Sequence, residues 1–594
     1  MTYQTIFEIG PIAHYVENSR KTKDLWGASF LFSYLMGVLC AEIKKQNGKI
    51  ERPYLDDNPL FQWIINPQSS SDIYAGSIPD QVCCVYEDDG LPKKVQKRFY
   101  AVLDQLYNDC WQAVKDNYFY KACYHDKDKK EAYQQLRQYF RLFYVTKKSD
   151  ETGKWDDLMK AINSRGQIYS FDDFNDDLNS VKSKDGKCSL MADFKRLHTI
   201  GKSRRGGKDE QLSAMAVIKR GLLDHFDNVV STDRFASTTS IAATVVKQIL
   251  KEPSINVRMA IKEFIEKFFE ENQIDEEFSE NDIRKLRNLK GKREVIDHLP
   301  YEFYFTDHPI SRDFRKAIKN EADTYLKQNP GKKVWIDSGF YAIVSLDGDN
   351  TGELFKLIKD DPVKTTELSR AIANYSNQAG KILRGKGQLI YSGGEDTQFI
   401  AHPVFLLELL EEFERAFSAE LGTVINDKEH PLSISAGVYI CNHKYPLKLA
   451  VRGAIDLLDD EAKKIDGKGS VVIKLVKGSG DAVCCWFKLR DCTGKYDLMA
   501  FKELIDEYEK KSIPRGFLYK LENDREVMPH VLLDQDEFLK YVEDILSRTR
   551  DRDVKLDPHM ETLIKLSCNK TDETLEYNDL INRLYFARFL TGGQ

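Results

Sequence analysis

The sequence lacks the features that would define a membrane-spanning, secreted or disordered chain. Its longest uncharged, largely apolar run extends from Trp26 to Ala41, and this is short of the ~20 residues that a spanning helix needs. The N-terminus reaches Glu8 without a basic segment or a small-residue cleavage site, so we expect no signal peptide. Proline and glycine are few, at 17 and 34 of 594 residues, which excludes collagen-like and low-complexity chains.

Cysteine is also scarce, with 11 residues, and two of the cysteine pairs are adjacent in sequence, Cys83-Cys84 and Cys484-Cys485. Neighbouring cysteines at this density favour buried thiols over a disulfide framework, so we expect a cytoplasmic protein. The formal net charge is −6. Because the global charge does not attract a polyanion, contact with RNA or DNA would need local basic patches.

The length predicts about four domains at about 150 residues each. The clearest boundary is the Pro-Gly-Lys-Lys turn at 329–333, after which short apolar strands alternate with helical patterns. Two short strands, Gln388–Ser392 and Thr397–Ala401, are separated only by Gly393-Gly394-Glu395-Asp396 and predict a hairpin. The order is β-α-β-β-α-β with one extra helix and strand, which predicts a ferredoxin-like palm. From Leu498 onward the pattern is helical.

Two acidic turns belong to this predicted palm. The first strand, Tyr341–Leu346, runs into Asp347-Gly348-Asp349-Asn350, and the hairpin tip carries Glu395 and Asp396. The two strands are neighbours in such a sheet, so we expect the carboxylates to meet at one edge. Carboxylates on short turns are suitable ligands for magnesium, which neutralises phosphate charge in phosphoryl transfer.

Glycine and lysine residues complete this candidate site. Gly393 and Gly394 would let a triphosphate approach the backbone because they carry no Cβ. Lys463 and Lys464 lie on the helix before the last strand and could reach the phosphates as point charges. The alternative interpretation is a surface hairpin with a polar tip.

Several segments resemble the palm polymerase/cyclase subunit of type III CRISPR effector complexes, in particular its Cmr subtype. Tyr391-Ser-Gly-Gly-Glu-Asp396 is similar to that family's Gly-Gly-Asp-Asp hairpin. The other matching segments are Ser345–Gly352, Leu432–Gly437, Asp459–Lys463, Ile6–Ile12, Arg20–Ser29, Leu31–Ser33 and Phe235–Ala242.

The resemblance implies an α+β multidomain fold with two ferredoxin-like palm domains plus helical domains. It divides the chain into an N-terminal palm-like domain (1–170), a mostly helical linker domain (171–330), a catalytic palm (331–480) and a C-terminal helical domain (481–594). Two nucleotides would bind between the palms. The hydroxyl of one substrate would attack the α-phosphate of ATP and release pyrophosphate, with magnesium or manganese bound.

The resemblance also implies residue roles. Asp347, Glu395 and Asp396 would be catalytic, and Asp347, Gly348 and Asp396 would hold the metal. Residues expected to contact nucleotides are Asp349, Asn350, Ser392, Gly393, Gly394 and Lys463 in the catalytic palm, and Ser29 and Ser33 in the first.

Two features of many relatives are missing from their expected positions. The palm motif begins by Ile6, so we expect no HD nuclease domain, and the His125-Asp126 dipeptide lies in a charged segment without companion histidines. The family's zinc knuckle keeps only Cys188, because Ser213-Ala-Met-Ala216 replaces its second cysteine pair. One thiol cannot make a tetrahedral site, so we expect no zinc.

The turn contains Glu395 where the family has aspartate. Some branches of the family are thought to join ATP to S-adenosylmethionine instead of making cyclic oligoadenylate, and both products stay open for this chain. The resemblance implies guide RNA, target RNA and smaller Cmr-type subunits as partners, with no membrane and no homo-oligomer. Candidate RNA contacts are Lys195, Arg196, Lys202, Arg204, Arg205, Lys208, Arg284, Lys285, Arg287, Lys290, Lys292 and Arg293.

The leading hypothesis is therefore an RNA-activated nucleotidyltransferase that makes an adenylate second messenger for antiviral defence. One alternative is a non-catalytic scaffold that organises the RNA complex. Another is a free-standing cyclase of the GGDEF type, which shares the hairpin but not the N-terminal motif.

Overall fold

The computed structural model describes most of the chain. The described residues are 1–68, 72–117, 119–120, 129–148, 160–162, 186–201, 209–230, 236–252, 257–270, 296, 299, 301–328, 339–358, 361–422, 432–465, 467–477, 480–490, 497–509, 515–528, 537, 540, 541, 544, 545, 548 and 577–591. His125-Asp126 lies outside them. So do all of the candidate RNA contacts except Lys195 and Arg196.

The N-terminal part forms a four-stranded antiparallel sheet in the order β2-β3-β1-β5. Its strands are β1 (Tyr3–Gly10), β2 (Lys49–Arg52), β3 (Gln81–Tyr86) and β5 (Arg141–Lys148). Taken as the first to fourth strands of a split βαβ repeat, they give the ferredoxin-like order 4-1-3-2. The fold of the first palm therefore agrees with the expectation from sequence.

Helix α2 (Thr22–Lys45) lies at the centre of this part and contains the apolar run noted above. Among the described residues it is the one helix that is long and apolar enough to cross a membrane, but 83% of its most apolar window is buried in the fold. Trp26 and Phe30 stack at 4.5 Å, and both are fully buried. A helix that is apolar on all sides and enclosed by protein is typical of a core helix.

The remaining helices of the N-terminal half divide between two hydrophobic cores. Helices α1 (Ile12–Glu17), α3 (Pro59–Ile65), α4 (Leu91–Asn117), α5 (Lys129–Tyr139) and α6 (Ala214–His225) contribute to the larger core, which the first palm shares with the second. A small sheet is formed by β4 (Phe119–Tyr120), β6 (His198–Gly201) and β7 (Glu210–Leu212). Helices α7 (Thr238–Ala242) and α8 (Thr244–Lys251) follow. A second core joins α8, α9 (Arg258–Glu270), α10 (Tyr301–Tyr304) and α11 (Pro309–Gln328). Cys188, Leu212 and Ile241 belong to the same core as Phe7 of β1, and the predicted domain boundaries stay a prediction.

The second palm contains a six-stranded sheet in the order β13-β12-β11-β8-β10-β9. The strands are β8 (Phe340–Asp349), β9 (Gly387–Gly393), β10 (Asp396–Ala401), β11 (Ser433–Asn442), β12 (Ser470–Val476) and β13 (Ala482–Lys488). The first four again have the 4-1-3-2 order, and β12 is added parallel to β11. Its helices are α12 (Thr351–Leu357), α13 (Pro362–Ile382), α14 (Leu406–Leu421) and α15 (Leu447–Asp456). The palm predicted from the sequence is confirmed.

Three local details differ from the expectation. Strand β8 continues to Asp349, so the chain turns only at Asn350, whose φ is +64°. The helical face expected over Leu447–Ile465 is α15 followed by a π turn (Leu457–Glu461) and a 3₁₀ turn (Ala462–Lys464). Strand β13 lies in the segment expected to be wholly helical, and the helices α16 (Asp497–Glu509), α17 (Arg515–Asn523) and α18 (Tyr577–Leu590) follow it.

Eight of the 11 cysteines lie among the described residues, and none of these eight forms a disulfide. Seven are buried and Cys484 is half-buried. The expectation of buried thiols is confirmed for this part of the chain. Cys188 accepts hydrogen bonds from the backbone N–H groups of Met191 and Ser213, at 3.4 and 3.3 Å.

Candidate active site

The acidic hairpin is formed by β9 and β10, which are joined by a two-residue turn. Gly393 pairs with Asp396, leaving Gly394 and Glu395 as the turn residues. Gly394 has a φ of +66°, a conformation that glycine adopts without the steric penalty of a Cβ. The turn therefore needs a glycine at this position whether or not a nucleotide binds there.

Two aspartates meet where β8 and β10 lie side by side. Leu346 pairs with Thr397, so the next residues along the antiparallel ladder are Asp347 and Asp396. Their carboxyl groups are close enough to share a hydrogen bond. Lys463 forms an ion pair with Asp347, and its Nζ is also 3.3 Å from Asp459 Oδ1. The carboxylates of Asp347 and Asp396 therefore lie together, as expected from the sequence, and Lys463 lies against Asp347.

The site is electrostatically crowded. The pKa of Asp396 is raised well above its usual value, first by desolvation in the cleft and then by the charges of Asp347 and Glu395, although the side chain keeps contact with solvent. Desolvation also raises the pKa of Glu395, and Asp347 adds to this effect. Desolvation lowers the pKa of Lys463, but Asp347 and Asp459 more than offset it, so its pKa is raised. The arrangement favours cations.

Glu395 is turned toward helix α12 rather than lying free at the hairpin tip. Thr351 Oγ1 donates a 2.7 Å hydrogen bond to Glu395 Oε1. Gly348 lies beneath it, and a Cβ on Gly348 would come within 2.8 Å of the Glu395 Cβ. The longer side chain is thus accommodated by a glycine on β8 and a threonine at the start of α12.

Asp349 does not face the cleft, contrary to the expectation that it contacts a nucleotide. It is 2% exposed and accepts hydrogen bonds from Ser433 Oγ at 2.6 Å, Ser435 Oγ at 2.9 Å and the Gly469 N–H at 3.0 Å. Burial raises its pKa, whereas these hydrogen bonds lower it. Asp349 therefore ties β8 to β11 and to the loop before β12.

Asn350 occupies the turn between β8 and α12. Lys468 Nζ donates a 2.7 Å hydrogen bond to Asn350 Oδ1. Lys464, the second lysine considered above, pairs instead with Asp460 at 2.9 Å on an exposed surface. The Asn350 side chain is therefore bonded to Lys468, and Lys464 is paired with Asp460.

Ser392 supports the hairpin from within the fold. It is 1% exposed, and its hydroxyl lies 2.9 Å from Thr397 Oγ1 and donates to the Ser376 carbonyl at 3.2 Å. Gly393 is also buried, and a Cβ there would come within 2.8 Å of the Tyr391 ring. Both residues support the hairpin from within the fold, and their contact with a nucleotide stays a prediction.

Ser29 and Ser33 of the first palm are likewise used within the fold. Ser33 is fully buried, and its hydroxyl donates to the Ile78 carbonyl at 2.8 Å and accepts from the Ile78 N–H at 3.2 Å. Ser29 donates to the Leu25 carbonyl at 3.2 Å within helix α2. Both side chains are buried and hydrogen-bonded within the first palm, and contact of either with a nucleotide stays a prediction.

The carboxylates of this site suit a divalent cation. Among the residues described, no three histidine, cysteine or acidic side chains are arranged to hold a metal by themselves. Magnesium usually takes one or two protein carboxylates and completes its shell with water and phosphate oxygens. Asp347 and Asp396, with mutually repelling charges, suit a cation that arrives with a nucleotide, and the Gly348 carbonyl lies on the same strand segment.

Several residues of the site were not predicted from the sequence. They are Thr351, Lys468 and Tyr375. Burial is the main reason why the pKa of Tyr375 is raised, and the nearby charges of Asp396 and Asp347 add to this effect. Thr351 could have been proposed because it follows the acidic turn directly. The positions of Tyr375 and Lys468 depend on the packing of α13 and on the loop before β12.

Of the candidate RNA contacts, Lys195 pairs with Glu131 at 3.4 Å.

These features define a class of protein with two ferredoxin-like palms, the second of which carries a two-aspartate hairpin site. A family model for the Cas10/Cmr2 second palm domain matches residues 340–472, and a model for the N-terminal part of CRISPR-associated protein Cmr2 matches residues 5–132. Both palms of the chain are thus similar to the corresponding parts of Cmr2 proteins.

Individual relatives show the same similarity. The chain is 24% identical to the CRISPR system Cmr subunit Cmr2 of Pyrococcus furiosus, over 92% of this chain and 70% of that one. Its fold is similar to a chain of the type III-B Cmr-beta complex in the apo state, with a TM-score of 0.66 and 13% identity over 100% of this chain and 82% of that one. The same complex bound to cognate target RNA gives a TM-score of 0.65 at 13% identity, covering 99% and 83%.

Proposed function

We propose that this chain is a nucleotidyltransferase that makes an adenylate second messenger from ATP. The observation that carries the proposal is the meeting of Asp347 and Asp396 on neighbouring strands, with Lys463 paired to Asp347. The similarity to the Cas10/Cmr2 second palm domain supports a palm with this chemistry. Phosphoryl transfer depends mainly on positioning and on stabilising negative charge, and this arrangement can do both once a cation is bound.

Each residue of the site has a proposed role. Asp347 and Asp396 hold a magnesium or manganese ion, with the Gly348 carbonyl as a third oxygen. When bound, the ion neutralises phosphate charge and favours attack on the α-phosphate of ATP. Lys463 exchanges its carboxylate partner for phosphate oxygens, and Glu395 shapes the pocket. Gly394 and Asn350 lie in the two turns beside the carboxylates and would leave room for the triphosphate, while the buried Gly393 would shape the pocket from within the hairpin.

The product is either cyclic oligoadenylate or a conjugate of ATP with S-adenosylmethionine. The two differ in the group that attacks ATP, and the residues of the site are compatible with both. The assembled complex, with its guide and target RNA, is incubated with magnesium and α-labelled ATP, with and without S-adenosylmethionine. The masses of the products then distinguish the two reactions. Product from ATP alone would identify an oligoadenylate synthase, and product that needs both substrates would identify a conjugating enzyme.

We also propose that the chain works inside an RNA-guided complex in the cytoplasm, for antiviral defence. The relatives are subunits of Cmr assemblies, one of them bound to cognate target RNA. Guide RNA, target RNA and smaller Cmr-type subunits would be its partners, with no membrane and no homo-oligomer, and target RNA would activate synthesis. We propose no structural zinc for this chain.

The decisive test is the double variant Asp347→Ala with Asp396→Ala in the assembled complex. We expect product formation to be lost while RNA binding is kept, because both proposed metal ligands are removed. The matched control is Asp88→Ala with Asp456→Ala, which removes two carboxylates that pair with basic residues at the surface. Synthesis retained by the first pair would contradict the site assignment, whereas absence of product from the wild-type complex would favour the alternative, a non-catalytic scaffold.

A further inference from the structure

The first palm contributes backbone directly to the catalytic hairpin. The contribution comes from residues Tyr74–Pro79, here named the bridging segment. The Ser392 N–H donates a 3.0 Å hydrogen bond to the Gly76 carbonyl, and Gly76 forms a parallel bridge with Tyr391. Strand β9 is the outer strand of the six-stranded sheet. The bridging segment therefore satisfies a backbone donor on an edge strand that carries the hairpin.

The bridging segment is held firmly by helix α2 on its other side. The Trp26 indole N–H donates to the Tyr74 carbonyl at 3.0 Å, and the Ser33 hydroxyl bonds both backbone groups of Ile78. A Cβ on Gly76 would come within 2.6 Å of Ser33 Oγ. The segment has no room to move toward the helix, so its position is determined by the core of the first palm.

Two further contacts reach the parts of the second palm that surround the acidic site. Pro79 Cγ lies 3.7 Å from the position that a Cβ on Gly394 would take, at the hairpin turn. The Tyr74 ring lies against helix α13, where a Cβ on Gly380 would come within 2.6 Å of Tyr74 Cγ. The same helix carries Ser376, whose hydroxyl donates to the Ser392 carbonyl at 2.6 Å.

We infer that the bridging segment is a positioning element for the acidic hairpin, so that the first palm sets the placement of Asp396 against Asp347. The inference rests on the proposed function, because it concerns the rate of the same site. Tyr74, Gly76 and Gly380 would act by holding the backbone of the hairpin in position, and they would not contact a nucleotide. Misplacement of reacting groups by about 1 Å can lower a rate about a hundredfold.

The variant Gly380→Ala tests the inference in the full chain assembled in its complex. Alanine is a better helix former than glycine, so α13 itself is not weakened, but the added methyl group would displace the Tyr74 ring. We expect faster hydrogen–deuterium exchange in peptides covering Ser392. We also expect the rate at saturating nucleotide to fall about tenfold to a hundredfold, with KM changed less than about threefold.

A second variant distinguishes this displacement from a general loss of structure. Adding Tyr74→Ala to Gly380→Ala removes the clashing ring and keeps the Gly76 carbonyl, so we expect the rate and the exchange protection to recover in large part. The control is Gly10→Ala, because a Cβ there meets only the Phe143 ring, at an ordinary 3.5 Å.

Unchanged exchange at Ser392 in Gly380→Ala would overturn the inference, as would faster exchange with an unchanged saturating rate. Failure of the double variant to recover would also overturn it, since the displaced ring would then not be the cause. An inactive wild-type complex would instead overturn the proposed function, and the exchange measurements would still report whether the bridging segment holds the hairpin.

Discussion

At the scale of single residues, Glu395 shows how a change in a motif is accommodated. Its extra methylene would move a carboxylate by about 1.5 Å if the chain were otherwise the same. The structure directs this carboxylate to Thr351, at 2.7 Å, over the bare backbone of Gly348. Glu395 is thus anchored beside the two aspartates and contributes charge and shape to the site.

The variant Thr351→Val tests the anchoring of Glu395 without changing the proposed metal ligands Asp347 and Asp396. A buried carboxylate would lose a hydrogen bond worth about 1.5–3 kcal/mol, and Glu395 would become free to move toward Asp396. We expect synthesis to fall about tenfold or more, measured as product formed by the assembled complex. The control Thr366→Val removes an exposed hydroxyl that bonds only the Pro362 carbonyl. Equal rates for the two variants would contradict the role given to Glu395.

His402 gives a pH prediction of known sign. It is fully buried after β10, its Nδ1 accepts a hydrogen bond from the Val404 N–H, and burial lowers its pKa to about 3. The unfolded chain takes up a proton near pH 6.5 whereas the folded chain does not, so stability is lost as the pH falls below 6.5. From pH 7 to pH 5 this loss should be about 2 kcal/mol.

The comparison with His402→Asn isolates that contribution. Asparagine keeps a side-chain acceptor for the Val404 N–H, as residues at helix N-termini do, but it does not titrate. We expect the unfolding free energies of the two proteins to diverge between pH 7 and pH 5, with the wild type losing more. Parallel curves, measured by denaturant unfolding at each pH, would contradict a neutral buried histidine.

At the scale of elements, the π turn after α15 presents Lys463 to Asp347. Strand β11 and this helix approach so closely at Gly437 that a Cβ would overlap the Ala454 carbonyl and lie 2.5 Å from the Leu458 N–H. The π turn begins at Leu457, where the backbones meet. Wider turns of this kind often occur at functional sites, and here the turn adjusts the helix before it reaches the lysine.

The variant Gly437→Ala should push the helix away from the sheet. We expect a loss of about 1–3 kcal/mol in unfolding free energy, typical of overpacking, together with a lower rate because Lys463 moves with the helix. Thermal unfolding and product formation measure the two effects. The control Gly352→Ala adds a methyl group with no atom within 4 Å and should not lower stability. A stable, fully active Gly437→Ala protein would contradict this account.

At the scale of the whole molecule, the two palms and the C-terminal helices share one hydrophobic core. That core includes Phe7 of β1, Phe399 of β10 and Leu590 of α18, whereas Ala243 to Tyr325 contribute to a separate, smaller core. Contacts such as Tyr54 N–H to Ser369 Oγ at 2.9 Å and Arg52 over the Phe355 ring join the palms. We therefore expect the two palms to unfold as one cooperative unit and the helices of the smaller core to unfold separately.

The variant Phe264→Ala tests this division. Phe264 is fully buried and stacks on Phe314 at 4.5 Å, so truncation should cost about 3–5 kcal/mol within the smaller core. We expect hydrogen exchange to accelerate in peptides from α9 and α11 and to stay unchanged in β8 and β10. Faster exchange throughout the palms would show instead that the whole chain opens together.

The second palm, its hairpin and the meeting of Asp347 with Asp396 could be predicted from the sequence, because strand order and a glycine turn are local signals and adjacent strands bring their ends together. Which polar side chains are used up within the fold became clear only from the packing of distant elements. Asp349, Ser392 and Ser33 have suitable side chains, yet partners on other elements take up their hydrogen bonds. The bridging segment depends on contacts between residues more than 300 positions apart, such as Gly76 with Ser392, and a pattern along the chain does not encode such pairings.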